Sequence, residues 1–209
     1  MRHWLRRIPR PKLLLALASL FALYLVLGGY LLPRYIERHG GKPVIWKTGH
    51  SLIKAKLKES KALLAGEMSG HTFFKERWYG FDDALYAGAR LLEVLSKTSN
   101  PNETLKSLPN APSTPELHWA LEEGEPHALV AKLQARVENA SPFPSAERVV
   151  TIDGVRVEYA DGFGLARASN TTPTIVMRFE ADNAAALERI KKDFRAALQP
   201  LKPNAPLPY

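Results

Sequence analysis

A chain of 209 residues is long enough for one large domain or two small ones, and its 45% hydrophobic and 24% charged residues are those of a folded protein. It has no cysteine, which excludes disulfides and thiolate metal sites and leaves the compartment open. The formal charge of +8 invites a nucleic-acid partner, but its distribution argues against one. Residues 1–42 hold eight Lys/Arg against Glu37 alone, whereas residues 43–209 hold 21 basic residues against 20 acidic ones, with no basic stripe interleaved with aromatics.

Residues 1–12 form a basic flank carrying Arg2, Arg6, Arg7, Arg10 and Lys12. Residues 13–32 carry no charge, and their number matches a helix that crosses a bilayer. Tyr30 lies near one end, where an amphipathic ring suits the headgroup level, and Pro9, Pro11 and Pro33 bracket the run. The pattern predicts one N-terminal transmembrane helix, with the basic flank in the cytoplasm. A cleaved signal peptide is the rival reading; its apolar core would be shorter, and the Gly28-Gly29-Tyr30 stretch is a poor cleavage site.

Residues 33–39 read as a short helix, with Tyr35 and Ile36 inward and Gly40-Gly41 ending it. A short apolar strand is expected over 43–46, and a helix over 51–59 with Leu52, Ile53 and Leu57 as its apolar positions. A strand over 62–65 then enters the loop 66–71, GEMSGH. The spacing predicts a helix over 83–96, with Leu85, Ala89, Leu92 and Leu95 or Ser96 along one face. Asp82 and Asp83 stand at its start, where an acid suits a helix N-terminus. This order argues a parallel α/β layer over 33–97, incomplete because its first strands are not in the chain.

Residues 98–114 are rich in Asn, Pro and Ser and read as a linker. A second domain is expected over 115–200. It has a strand over 116–121, a helix over 126–137 with Leu129, Leu133 and Val137 inward, and strands over 148–152, 156–159, 164–168 and 174–180. Asp153 and Asp161 precede glycines and read as turn formers. Asp182 or Asn183 can cap a last helix that buries Leu187, Ile190, Phe194 and Leu198. Helices on one mostly antiparallel sheet make an α+β domain, and the tail 201–209 is expected to be extended.

The most informative stretch is 164–174, GLARASNTTPT. Arg167, Ser169, Asn170, Thr171 and Thr172 put a guanidinium, three hydroxyls and an amide into one turn between two strands. Such a turn can aim backbone N–H groups, hydroxyls and a bidentate cation at one anion, and a phosphate monoester is the natural guest. An ordinary polar hairpin with one surface arginine is the alternative.

A second stretch, GEMSGH followed by HTFFKERWYGFDDALYAGARLLEVLS, and an upstream one, WKTGHSLIKAKL, bear on that choice. Together with DGVRVEYADGFGLARASNTTP they resemble the bacterial phosphomannomutase/phosphoglucomutase branch of the α-D-phosphohexomutases, from about Leu32 to Tyr209 and in the family's order. The resemblance implies that residues 33–97 are the C-terminal part of that family's third domain and residues 115–200 its C-terminal domain. It implies that Arg167, Ser169, Asn170 and Thr171 grip the phosphate that is not being transferred. It implies that Glu67 and Ser69 receive sugar hydroxyls, with Gly49, His50 and His71 as further substrate contacts. The alternative for His71 is a loop histidine packed on Phe73 or Trp78, and for His50 a simple N-terminal residue of a helix. Lys47 is a weaker candidate.

The family's activity is the interconversion of hexose 6-phosphate and hexose 1-phosphate through a phosphoserine in a T-A-S-H-N-P type loop. It uses Mg2+ on a D-G-D-x-D-R type loop and a bisphosphorylated hexose activator. Neither loop occurs in these 209 residues. The resemblance therefore predicts hexose-phosphate recognition with no catalytic residue and no metal ligand, so that the chain alone is inactive as a mutase. A membrane-anchored phosphosugar-binding module is the alternative. Membership of a bacterial family places the anchor in the inner membrane, single-pass. A single span would put residues 34–209 outside the cytoplasm, away from such substrates. The chain is thus expected to join the anchor of a longer membrane-attached mutase to its C-terminal portion near residues 31–33. Mannose or glucose preference and oligomeric state are open.

Overall fold

The computed structural model describes residues 28–38, 40–67, 69–107, 110–140 and 142–209. The chain divides into two compact units, Met1–Asn110 and Ala111–Tyr209. Residues 13–27 of the expected membrane span lie outside the described residues, and residues 28–32 form the start of a helix. Among the described residues no helix is long and apolar enough to cross a membrane.

The first described element of this unit is α1, Gly28–Arg38. It runs through Pro33, where a start was expected. Backbone N–H groups of Gly40 and Gly41 cap Glu37 and Ile36 carbonyls at 2.9 Å each, so the expected glycine stop is present. The strand expected over 43–46 is not formed: these residues have no ladder partner among the described residues, Pro43 lacks a donor, and Val44 is 59% exposed. Helix α2, His50–Ser60, buries Ile53 and Leu57 but leaves Leu52 at the surface.

Strand β1, Leu64–Gly66, pairs with β2, Thr72–Phe74, in an antiparallel two-stranded ribbon. The parallel layer expected from the element order is therefore not what the described residues form. The local reason is that GEMSGH turns the chain straight back: the backbone N–H of Glu67 donates to the His71 carbonyl at 2.9 Å and that of Gly70 to the Glu67 carbonyl at 3.0 Å. A hairpin connection dictates antiparallel pairing.

Helix α3, Ala84–Leu95, starts on Asp83, whose side chain accepts from the Tyr86 backbone N–H. Its expected leucine stripe faces solvent: Leu85 is 89% and Leu92 67% exposed. The inward face is Ala87, Arg90 and Val94. Arg90 wins that position because its guanidinium lies 4.7 Å from the Phe74 ring centre and is matched by Glu76 at 2.8 Å and Glu93 at 3.1 Å. The expected linker contains a short helix, α4, Pro101–Lys106, capped by the Asn100 side chain.

In the second unit β3 (Leu117–Ala120), β4 (Arg148–Val150), β5 (Val155–Tyr159), β6 (Gly162–Ala168) and β7 (Thr174–Ala181) form one antiparallel sheet ordered β3-β7-β6-β5-β4. Residues 112–114, expected in the linker, extend the β3 side of this sheet: Ser113 bridges Glu180, and the Thr114 N–H donates to Phe179 O at 2.9 Å. Helices α5, Glu125–Ala140, and α6, Ala184–Leu198, cover one face. Of the two candidate caps, Asn183 is used, accepting from the Ala186 N–H. Leu133, Ile190, Phe194 and Leu198 are fully buried against Val155, Val157, Ile175, Met177 and Phe179. The tail is not simply extended: after a 3-10 turn, Gln199–Leu201, Leu207 is buried and Tyr209 packs edge-on against Phe179 at 4.9 Å.

The other face of β7 holds a fully buried carboxylate, Glu180, with neither oxygen hydrogen-bonded among the described residues. Desolvation raises its carboxyl from 4.5 to about 7, against the pull of Arg178 and Arg156 and with help from Asp182. Below pH 4.5 the group is protonated folded and unfolded, so it carries no penalty. Between 4.5 and 7 the unfolded chain ionises first, and stability is lost as pH rises. Glu180→Gln is expected to remove that slope and stabilise the protein at pH 8 by roughly 2 kcal/mol. Urea denaturation at pH 5 and pH 8 checks this; an unchanged slope contradicts it.

Candidate functional site

The residues singled out by sequence fall into two groups, one in each unit. In the first unit the chain turns from residues 47–49 into α2, and Gly49 stands at that helix's N-cap position. The Gly49 N–H donates to Glu67 Oε1 at 2.7 Å, although the two residues are 18 apart in sequence. Glu67 is 8% exposed, so this charge-assisted bond is shielded and binds the two motifs together. Its other oxygen, Oε2, lies 3.3 Å from His71 Nδ1, and Ser69 Oγ lies 2.7 Å from the same nitrogen. Nδ1 thus faces a carboxylate, which only accepts, and a hydroxyl, which can donate or accept. Thr72 Oγ1 closes the turn on Gly70 O at 3.2 Å.

Gly49, Glu67, Ser69 and His71 are therefore one hydrogen-bonded cluster. His50 heads α2 beside it, exposed and without a side-chain hydrogen bond among the described residues. Lys47 is exposed in the preceding loop. The cluster offers a hydroxyl, a ring nitrogen and a buried carboxylate whose lone pairs are partly used. That set suits the reception of sugar hydroxyls.

In the second unit residues 169–173 connect β6 and β7, and Arg167 pairs with Val176 just before the turn. Ser169 Oγ is the hub of the turn. It receives the N–H of Thr171 at 3.3 Å, the N–H of Thr172 at 3.2 Å and the Thr172 hydroxyl at 3.0 Å. Thr172 Oγ1 also lies 3.0 Å from Thr174 Oγ1, and the Ser169 N–H donates to Thr174 O at 2.9 Å. The donors expected to face an anion are thus gathered inward on a serine oxygen, at distances long enough for a stronger acceptor to displace it. Asn170 has no hydrogen bond among the described residues and stands exposed with Thr171. Among the described residues the Arg167 guanidinium makes one long hydrogen bond, to Ala168 O at 3.4 Å.

Sequence reasoning missed what lies under Arg167. A Cβ built on Gly154 would stand 2.3 Å from Ala166 O and 2.6 Å from both Cα and Cβ of Arg167. The β4–β5 turn therefore presses directly on the arginine's backbone, and Gly154, at φ +78°, is required there both by space and by conformation. The Asp-Gly pair was readable as a turn; its neighbour was not.

Both groups lie in stretches that match one known family. The phosphoglucomutase/phosphomannomutase α/β/α domain III matches residues 27–111, and the C-terminal domain of the same family matches residues 116–197. The chain belongs to the phosphoglucomutase/phosphomannomutase family. A phosphoglucomutase of Neisseria meningitidis serogroup A is 57% identical over 170 residues, covering 81% of this chain and 36% of the relative. A phosphomannomutase/phosphoglucomutase of Pseudomonas aeruginosa is 50% identical over 175 residues, covering 83% and 37%. The crystal structure of a phosphoglucomutase/phosphomannomutase family protein from Burkholderia thailandensis is 59% identical, with a TM-score of 0.76 over 85% of this chain and 37% of that one. The chain thus spans just over a third of the length of these relatives.

Proposed function

We propose that this chain supplies the hexose-phosphate recognition surfaces of a phosphohexomutase, with Arg167, Ser169, Asn170 and Thr171 receiving a phosphate and Glu67, Ser69 and His71 receiving sugar hydroxyls. The observation that carries the proposal is the bond between Gly49 and Glu67. It joins two motifs that have no reason to meet in a merely structural loop, and it presents a serine, a histidine and a carboxylate together. Relatives named phosphoglucomutase and phosphomannomutase/phosphoglucomutase support the substrate class.

In this reading the non-transferred phosphate displaces Ser169 Oγ from the Thr171 and Thr172 N–H groups, and Arg167 adds a bidentate pair. Glu67 and Ser69 hold His71 at Nδ1, so the ring is fixed and Nε2 is left to pair with a sugar hydroxyl. The family's metal supplies charge neutralisation during phosphoryl transfer. Among the described residues no group of three or more His, Cys, Asp or Glu could hold a metal ion, so no step through it is assigned to this chain.

The expected outcome is recognition without transfer. Purified protein incubated with mannose 1-phosphate, Mg2+ and a bisphosphorylated hexose is expected to form no 6-phosphate; turnover above the protein-free background contradicts this. Residues 13–32 are proposed to anchor the chain in a bacterial inner membrane, which requires that it stay with membranes through alkaline carbonate extraction.

A further inference from the structure

The arrangement under Arg167 carries one step more, which rests on reading that residue as a phosphate ligand. Gln134 lies on α5, on the helix turn that faces the β4–β5 connection. Its Nε2 donates to two backbone carbonyls of that connection, Thr151 O at 2.9 Å and Gly154 O at 3.0 Å. Both amide protons are thereby used, and a flipped amide would set its oxygen against two carbonyl oxygens, so the orientation is fixed by chemistry. The pinned turn ends in Gly154, which lies so close to Arg167 that an added Cβ would stand 2.6 Å from that arginine's Cα and Cβ.

The guanidinium itself has little else to direct it, its one hydrogen bond among the described residues being the 3.4 Å approach to Ala168 O. Its aim is therefore set where its side chain leaves the backbone, and that is where the turn presses. We propose that Gln134 is a positioning residue for the phosphate site: through the turn 151–154 it fixes the direction in which Arg167 leaves β6. A long side chain reaching a diffuse anion loses affinity when its first torsion is free to wander, because the ordering cost then falls on binding.

The test compares three variants in the full chain. Gln134→Glu keeps the shape but replaces donors by acceptors facing carbonyls. Gln134→Lys restores a donor able to reach both oxygens. Arg136→Ala removes a similar tie from the same helix, since Arg136 donates to Ala197 O at 2.9 Å and does not touch the turn. The readouts are the Arg167 side-chain Nε–Hε resonance in ligand-free protein and the Kd for mannose 1-phosphate.

Gln134→Glu is expected to shift and broaden the Arg167 resonance and to raise Kd roughly three- to tenfold. Gln134→Lys is expected to restore both, and Arg136→Ala to lower thermal stability while leaving both unchanged. An Arg167 resonance that Gln134→Glu leaves in place, or that Arg136→Ala disturbs equally, overturns the proposal. If wild type binds no phosphosugar, the phosphate-site reading fails separately, and the resonance still decides whether Gln134 orients the arginine.

Discussion

Phe194→Ala is expected to cost about 4 kcal/mol of stability in the second unit. Phe194 is fully buried. Its ring lies 4.9 Å from Phe143 and 5.2 Å, edge-on, from Phe179, so truncation removes two aromatic pairs as well as the area of one ring. On its third side the ring fills the space over Gly164, where a built Cβ would stand 2.3 Å from Cε2. Neither the glycine nor the neighbouring Ala166 and Ala168 on β6 has atoms to move into the gap, and a cavity that cannot collapse keeps the upper part of the large-to-small penalty. Urea denaturation followed by tyrosine and tryptophan fluorescence measures it. A loss below about 1 kcal/mol would mean the core relaxes in a way this packing does not allow.

Arg167→Ala is expected to weaken mannose 1-phosphate binding by about 10- to 150-fold, with stability nearly unchanged. The separation of the two effects follows from the ligand-free geometry. Arg167 contributes one long hydrogen bond to its own strand end, so little of the fold depends on it. A phosphate, by contrast, would take two parallel N–H bonds from the guanidinium. Arg167→Lys should recover only part of the loss, because an ammonium restores the charge and not the fork. Calorimetry on the three proteins checks the order; equal affinities would remove Arg167 from the site.

What could be read from sequence was whatever is encoded locally. The last helix was legible because its cap and its buried positions sit within one periodic stretch, and the three longest strands because apolar alternation and Asp-Gly turns delimit them. The first unit was read less well for physical reasons. A strand exists only with a partner, so the apolar residues 43–46 proved nothing by themselves. A leucine stripe does not decide which face is inward when an arginine has an aromatic ring and two carboxylates waiting for it, as Arg90 has. The helix Pro101–Lys106 was hidden by composition: Asn, Pro and Glu are loop formers, yet Asn as a cap followed by proline is also how a helix starts.

For the candidate site the residue types were legible and their bonding was not. Glu67, Ser69 and His71 lie in one motif, but that Gly49 is their fourth member depends on an approach across 18 residues. The hairpin's donors were expected to converge on an anion; they converge on Ser169 Oγ instead. Gln134 carried no sequence signal, since its role consists of two carbonyls that only the fold brings within reach.

The most direct test of hexose-phosphate recognition is a titration of isotope-labelled protein with mannose 1-phosphate, followed through its backbone amide resonances. The account predicts saturable shifts at Arg167, Ser169, Asn170, Thr171 and Thr172, as the Ser169-centred turn opens to phosphate, and at Gly49, Glu67, Ser69 and His71. Saturating ligand that leaves both sets of resonances where they were would contradict it.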